Sequence, residues 1–310
     1  MSIAFIACVE AGRLEPMGRL LFRSIRRSAG RFSSARIVAF NPRGGPPLSE
    51  ETLSVCAELA VECVGENLNR EHGDLPWSNK IYAGEWAERH LDEEFVVFLD
   101  SDSFICQEPR ALELPAGFDA GARPVNRKRR GSSGPGDKRE EFWQGIYRHC
   151  GVEQRPFLET AVSGEQIRAY WNAGLLAARR EAGLFAAWRR DFETLVDAKH
   201  WLGPQSKRNL DQFALAATLA RIGDRATVLD PRYNYPLPWR HELAEPLRSA
   251  PLEELVHVHY FGWFNMPGIL SRLRPPLDPR SETVRFLTPF LPFEPIDESP
   301  TRGNKDNLVD

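Results

Sequence analysis

Short apolar runs alternate with amphipathic segments over the first third of the chain, and this alternation is the strongest constraint on its fold. The apolar runs, at residues 3–9, 35–41, 60–65 and 95–99, are predicted to be strands. The segments between them are predicted to be helices, at residues 14–25, from Ser49 onward and at residues 75–91. Parallel neighbouring strands require such crossover helices. The pattern therefore predicts an α/β fold with a mostly parallel central sheet flanked by helices.

The rest of the chain continues this pattern, with one interruption. We expect a strand at 169–181, helices at 182–200 and 209–222, a strand at 225–230 and a late apolar run at 254–264. The interruption, residues 126–141, has no apolar anchor and is predicted to be a mobile surface loop. Its basic tract, Arg127 to Arg130, could touch phosphate or a membrane surface, although a solvated loop is favoured.

We therefore expect one domain over residues 1–270, followed by an extended C-terminal arm over 271–310 that is disordered in part. The 310 residues include 42% hydrophobic and 27% charged side chains, as in soluble globular proteins. A net charge of -3 argues against nucleic-acid binding, and five cysteines without a C-x-x-C pair indicate reduced thiols. We see neither a transmembrane segment nor a leader peptide, and we expect a cytoplasmic location.

Two acids, Asp100 and Asp102, follow the apolar run 95–99 directly. Ligands of open α/β sheets bind outside the carboxyl ends of the strands, so these acids occupy the usual position of a site. Strand alternation turns both carboxylates to one side, where they could share a divalent cation. A polar turn that simply ends the strand is the alternative, because Asp and Ser are common in turns.

Four segments together resemble GT-A type glycosyltransferases, in particular the retaining glycogenin-like and galactosyltransferase-like group. The segments are FVVFLDSDSFI, YWNAGLLAARRE, NLDQFAL and VHVHYFGWF. The resemblance spans roughly residues 3–267 and implies a nucleotide-binding GT-A domain. It implies that Asp100 and Asp102 hold Mn²⁺, or Mg²⁺, against the diphosphate of a sugar nucleotide. His259, in HYFG with Gly262, matches the family's third metal ligand.

The same resemblance assigns the other site residues. Lys80, Ala7, Ser101 and Gly262 match positions that contact the nucleotide. Asn172, Ala173 and Gly174 match the segment that contacts the donor sugar. Asp211 and Gln212 match the pair beside the anomeric carbon, where they stabilise an oxocarbenium ion or act as nucleophile. These assignments have ordinary structural alternatives. Lys80 could be a surface lysine, and the segment from Asn172 to Gly174 could be a turn before a strand. Asp211 could be an acid that interacts favourably with the dipole at a helix N-terminus. His257 is predicted to be a core or supporting residue rather than a ligand.

The chain departs from the family at one position. The family places a diphosphate-binding lysine where this chain has Asn265. Either another cation serves the phosphates, with Lys207, Arg208 or the tract from Arg127 to Arg130 as candidates, or the affinity for phosphate is weaker than in the family.

The implied activity is that of a hexosyltransferase-like glycosyltransferase, moving sugar from a nucleoside diphosphate sugar to a glycan, lipid-linked or protein acceptor. Two other classes fit some of the residues. A haloacid-dehalogenase-like phosphatase also carries D-x-D after an apolar strand, and residues 223–230 loosely match its later acidic motif. That motif usually opens its domain, however, whereas here it follows a long α/β segment. The other class is a sugar-nucleotide-binding protein without turnover.

Overall fold

A seven-stranded sheet in the order β10-β6-β9-β4-β1-β2-β3 forms the centre of the molecule. The structure is a computed structural model that describes residues 2–75, 77–198 and 209–293. The strands of the chain, in order, are β1 Ile3–Cys8, β2 Arg36–Phe40, β3 Val61–Val64, β4 Phe95–Leu99, β5 Ser103–Ile105, β6 Ala120–Pro124, β7 Phe157–Glu159, β8 Gln166–Arg168, β9 Trp171–Arg179, β10 Ala226–Val228, β11 Tyr235–Pro236 and β12 His257–His259. The mostly parallel sheet predicted from the sequence is confirmed.

Helices cover both faces of this sheet. In chain order they are α1 Leu14–Ser28, α2 Glu50–Glu58, α3 Asn79–His90, α4 Glu140–His149, α5 Leu184–Asp197, α6 Leu210–Ile222, α7 Ile269–Arg272 and α8 Glu282–Leu287. The sequence had not indicated β5, β6, α4 or the hairpin of β7 and β8. No helix of the described ranges is long and apolar enough to cross a bilayer.

Alternating side chains of each central strand enter two different cores, as the period of two in a strand requires. In β1, Ile6 belongs to the core that also holds residues of α3, α5 and α6, whereas Phe5 belongs to the core on the other face, with Leu21 and Phe22 of α1. The apolar runs of the sequence are therefore strands buried on both faces, which explains why they contain almost no polar residues.

One strand, β9, runs antiparallel between β4 and β6 and so determines where the site forms. Leu175 pairs with Leu99, and one step further the carbonyl of Gly174 accepts a hydrogen bond from the backbone N–H of Asp100 at 2.8 Å. Because the two strands run in opposite directions, the start of β9 meets the end of β4. The segment from Asn172 to Gly174 consequently lies beside the acids.

A second sheet, in the order β11-β12-β5, extends this arrangement. In β5, which follows the acids at once, Ser103 pairs antiparallel with His259 of β12. This pairing joins two segments far apart in the sequence and brings the histidine to the carboxyl end of β4.

The described part of the expected C-terminal arm, residues 271–293, is folded onto the molecule rather than extended. It contains α8, and it buries Leu273, Val284, Leu287 and Phe293 in a third core that also holds Tyr260. The loop before α4 also makes internal contacts: Lys128 pairs with Asp137, and Arg127 pairs with Glu242. Mobility of this loop stays a prediction.

Candidate active site

The turn after β4 is held in place through the backbone carbonyls of Asp100 and Asp102. The hydroxyl of Ser103 donates to the carbonyl of Asp100 at 2.6 Å, and the N–H of Tyr260 donates to the carbonyl of Asp102 at 3.0 Å. Ser101, between the acids, is buried. A turn whose acids served only to cap neighbouring amides would instead direct their side-chain oxygens at the backbone.

Three side chains converge at this point. One ligand atom each from Asp100, Asp102 and His259 lies within 4.8 Å of the other two. His259 Nε2 is 3.1 Å from Asp102 Oδ1, and the imidazole is stacked on Phe261 with ring centroids 3.7 Å apart. The stacking and the burial of His259 fix the direction of its ring.

A chain of amide hydrogen bonds sets the tautomer of that ring. The N–H of Gly174 donates to Asn172 Oδ1 at 2.8 Å, and Asn234 Nδ2 donates to the same oxygen at 3.0 Å. Asn234 therefore presents its own Oδ1 to His259 Nδ1, 3.0 Å away, so that Nδ1 carries the proton. Nε2 then faces Asp102 Oδ1 at 3.1 Å, and either a proton on Nε2 or a metal cation between the two atoms would satisfy both of them.

The donor set fits a divalent cation such as Mn²⁺. Carboxylate oxygens suit Mg²⁺ and Mn²⁺, and an imidazole nitrogen beside them favours Mn²⁺. The hydrogen bond from Nδ1 to an amide oxygen is the support that metal-binding histidines usually have. Asp100, Asp102 and His259 are therefore the residues that could hold the metal.

Asn234 is a site residue that the sequence analysis missed. It has φ of 47°, a left-handed conformation that asparagine tolerates better than most residues. Its backbone N–H donates to His257 Nδ1 at 3.2 Å, and burial lowers the pKa of His257 to about 3. His257 is therefore a neutral, buried support for Asn234. The only sequence signal was one polar residue between two tyrosines.

Lys80 connects the metal-ligand candidates to Asp211. Its ammonium lies 2.7 Å from Asp100 Oδ1, 3.2 Å from the carbonyl of Ala173 and 3.9 Å from Asp211 Oδ2. Burial by itself lowers the pKa of Lys80, but the two carboxylates outweigh burial and hold that pKa above its ordinary value. The side chain is buried, so the surface-lysine alternative does not apply.

Asp211 is the most perturbed acid of the site. It lies in the first turn of α6 and is buried, and its Oδ1 has no hydrogen-bond partner among the described residues. Burial raises the pKa of Asp211 from 3.8 to about 7, although Lys80 opposes the shift. A carboxylate with an unsatisfied oxygen is costly to bury and points to a functional role.

The remaining predicted residues lie at different distances from this centre. Gln212 is half-buried next to Asp211, and Gly262 follows His259 in the loop after β12. Ala7 is buried within β1, where its side chain belongs to the core rather than to an open surface. Lys207 and Arg208, offered as substitutes for the family lysine, lie outside the described residues. Of the other candidates, Arg127 and Lys128 have the ion pairs described above.

A methyl group on Gly174 is expected to damage the site. It would lie 2.6 Å from Cε1 and 2.8 Å from Nδ1 of His259, so the ring would have to move. We expect Gly174→Ala to weaken Mn²⁺ affinity by at least about tenfold, the usual effect of disturbing the support of a metal ligand. Gly65→Ala, where a methyl group meets nothing within 4 Å, is the matched control. Calorimetric Mn²⁺ titrations of both variants test this; unchanged affinity in Gly174→Ala would show that His259 is not a ligand.

The fold and the arrangement of Asp100, Asp102 and His259 define a GT-A type glycosyltransferase. A family model described as the Rhodobacterales glycosyltransferase domain matches residues 5–223. The chain belongs to this glycosyltransferase family. The match contains both acids of the turn and Asp211. No curated protein matches the chain in sequence.

Solved structures similar to this chain are also glycosyltransferases. An active-site mutant of LgtC has a TM-score of 0.51 and 16% identity, covering 95% of this chain and 98% of LgtC. The bifunctional glycosyltransferase WbbM has a TM-score of 0.47 and 15% identity, and the match spans 84% of this chain but only 46% of WbbM. Core-mannan synthase A from Aspergillus fumigatus, in its Mn/GDP form, has a TM-score of 0.49 and 11% identity over 74% and 73% of the two chains.

The likeness to LgtC shows a shared GT-A fold. Family membership excludes the phosphatase alternative, and the fold gives the structural reason. The acids follow the fourth strand of a sheet whose first strand is β1, whereas the phosphatase motif would open the domain.

Proposed function

We propose that this enzyme transfers a sugar from a nucleoside diphosphate sugar, with UDP as the nucleotide, to an acceptor hydroxyl, in a metal-dependent reaction that retains the anomeric configuration. The observation that carries the proposal is the convergence of Asp100, Asp102 and His259 at the carboxyl end of β4. The nucleotide and the retention rest on the resemblance of the four sequence segments. The acceptor is a glycan, a lipid-linked sugar or a protein hydroxyl.

A divalent cation at this site would supply Lewis-acid stabilisation of the leaving diphosphate. Asp100 and Asp102 would contribute oxygen ligands to it, and His259 would contribute Nε2. Asn234 and Gly174 hold the imidazole in the orientation that directs Nε2 at the site. The candidate metal ligands and the residues that support His259 therefore contribute by preorganisation: they place charge, before the reaction begins, where the leaving diphosphate departs.

Lys80 and Asp211 act at the sugar end of the proposed site. Because the Lys80 ammonium lies between Asp100 and Asp211, it couples the position of the metal ligand to that of the buried acid. Asp211, when ionised, would stabilise positive charge at the anomeric carbon or attack it as nucleophile, with Gln212 beside it. Asn172 shares this edge, since its neighbour Ala173 accepts from Lys80.

A donor panel tests the proposed function. The purified full chain is incubated with Mn²⁺ and a series of UDP-sugars and GDP-sugars, and free nucleoside diphosphate is measured with and without EDTA. We expect release of UDP from one donor, abolished by EDTA. Nuclear magnetic resonance of the transferred or hydrolysed sugar then gives its anomeric configuration. Binding without release would favour a non-catalytic sugar-nucleotide-binding protein, and failure to bind any of the donors would contradict the proposal.

A further inference from the structure

A donor diphosphate carries more negative charge than one divalent cation neutralises, and most nearby cations are already engaged. Lys80 contacts two carboxylates at 2.7 and 3.9 Å. Arg43 pairs with Glu10 at 3.2 Å. In the loop before α4, Arg127 and Lys128 each have an acidic partner, whereas the exposed Arg129 has no ion pair with any of the described residues.

Arg13 differs from the paired cations, and its guanidinium lies beside Gly262. It is exposed, it directly precedes α1, and it has neither an ion pair nor a hydrogen bond from its side chain to any residue in the described ranges. The two acids nearest in sequence are committed elsewhere. Glu15 accepts from the N–H of Gly12 and from Ser49, and Glu10 accepts from Asn79 and pairs with Arg43.

The position of the Arg13 guanidinium relates it to the metal-ligand candidates. A Cβ built on Gly262 would lie 3.8 Å from Arg13 Nη2 and 3.9 Å from Asn265 Nδ2. Gly262 is three residues beyond His259 and has φ of 74°, so a side chain there would be strained. β1, which leads to Arg13, is the parallel neighbour of β4, which leads to Asp100. Arg13 and the acids therefore belong to the same edge of the sheet.

Gly262 thus lies between the guanidinium of Arg13 and the side-chain amide of Asn265. Because glycine has no side chain, it does not fill the space between these two groups. Both groups are hydrogen-bond donors, and Asn265 contributes no charge. A planar guanidinium with several N–H donors matches the oxygens of a phosphate in a bidentate manner. Two donor groups over a bare glycine backbone form a surface suited to an anionic ligand and unsuited to a cation.

We propose that Arg13 binds the diphosphate of the sugar-nucleotide donor, together with Asn265, and so supplies the positive charge that the loop after His259 lacks. This assignment rests on the proposed function, since it requires a nucleoside diphosphate at the site. The positive charge that binds the diphosphate then comes from Arg13 in the loop after β1, and not from the basic tract before α4. Arg13 is a substrate-binding residue in this assignment, and it takes no part in bond making.

The test measures binding of UDP and of GDP to the full chain in the presence of Mn²⁺, by calorimetry. We expect Arg13→Ala to weaken the binding of whichever diphosphate the wild-type chain binds by at least about tenfold, the scale of a lost charge-assisted contact. Mn²⁺ affinity without nucleotide should stay within about twofold, because Arg13 is not among the converging ligands. The slope of affinity against salt concentration should also fall.

Arg23→Ala is the matched control, since it removes the same charge from α1 at an exposed ion pair with Glu58. Equal diphosphate affinity in Arg13→Ala and Arg23→Ala would overturn the assignment of Arg13. If Arg13→Ala fails to fold, Arg13→Gln decides instead: it keeps most of the side chain but removes its charge, so it should weaken diphosphate binding several-fold, and unchanged affinity counts against the assignment. If the wild-type chain binds neither diphosphate, the proposed function itself fails, and that outcome is distinct from equal binding by the two arginine variants.

Discussion

Replacing Asp102 by asparagine is expected to lower Mn²⁺-dependent release of nucleoside diphosphate by about two to three orders of magnitude. The change keeps the shape of the side chain but removes the charge that faces His259 Nε2 at 3.1 Å. Lewis-acid stabilisation of a leaving group is worth several kcal/mol, which corresponds to a rate change of this size. Rates measured over a range of Mn²⁺ concentrations separate weaker metal binding from slower chemistry.

The loss caused by Asp102→Asn must be specific to that carboxylate. Asp92→Asn is the matched control, because Asp92 is exposed near the start of β4, at the opposite end of the strand from the site. It makes the same charge change and should leave the rate within about twofold, as remote surface changes usually do. A normal Mn²⁺-dependent rate in Asp102→Asn would contradict the metal site, and with it the proposed mechanism.

The sequence was sufficient to predict the sheet and the acids because both are local features. The apolar runs are continuous since their strands are buried on both faces, and Asp100 and Asp102 follow one of these runs without interruption. Such signals need only a few neighbouring residues. The GT-A resemblance then placed His259, Lys80 and Asp211 at one site, and the structure brings all three to the same edge of the sheet.

The parts that could not be predicted depend on contacts between distant segments. Asn234 supports His259 only because β11 and β12 bring residues 234 and 259 together, and no local pattern marks that pairing. The loop after β1 meets Gly262 by the same kind of long-range packing, so Arg13 did not enter the sequence analysis. The short strand β5 has too few residues to give a periodic signal. Its partner in β12 fixes it instead.

Asp211→Asn is expected to stabilise the protein at alkaline pH. The folded chain retains the Asp211 proton up to a pKa of about 7, whereas the unfolded chain loses it near 4. The folded state therefore binds more protons between these values, and the free energy of unfolding falls as pH rises from about 4 to about 7. Asparagine cannot ionise and avoids this loss. We expect a gain on the order of 2 kcal/mol at pH 8, after allowance for the lost attraction to Lys80, and a smaller gain at pH 5.

Denaturant unfolding with EDTA present, at pH 5 and pH 8, measures this gain. Asp224→Asn, at an exposed position just beyond the other end of α6, is the control and should show no such pH-dependent gain.

The same Asp211→Asn variant should lose about two or more orders of magnitude in sugar transfer, because a neutral amide neither attacks the anomeric carbon nor stabilises its positive charge. A gain in stability joined to a loss of activity is typical of a charge that is buried for function. Lower stability of Asp211→Asn at pH 8 would mean instead that Asp211 chiefly stabilises the start of α6.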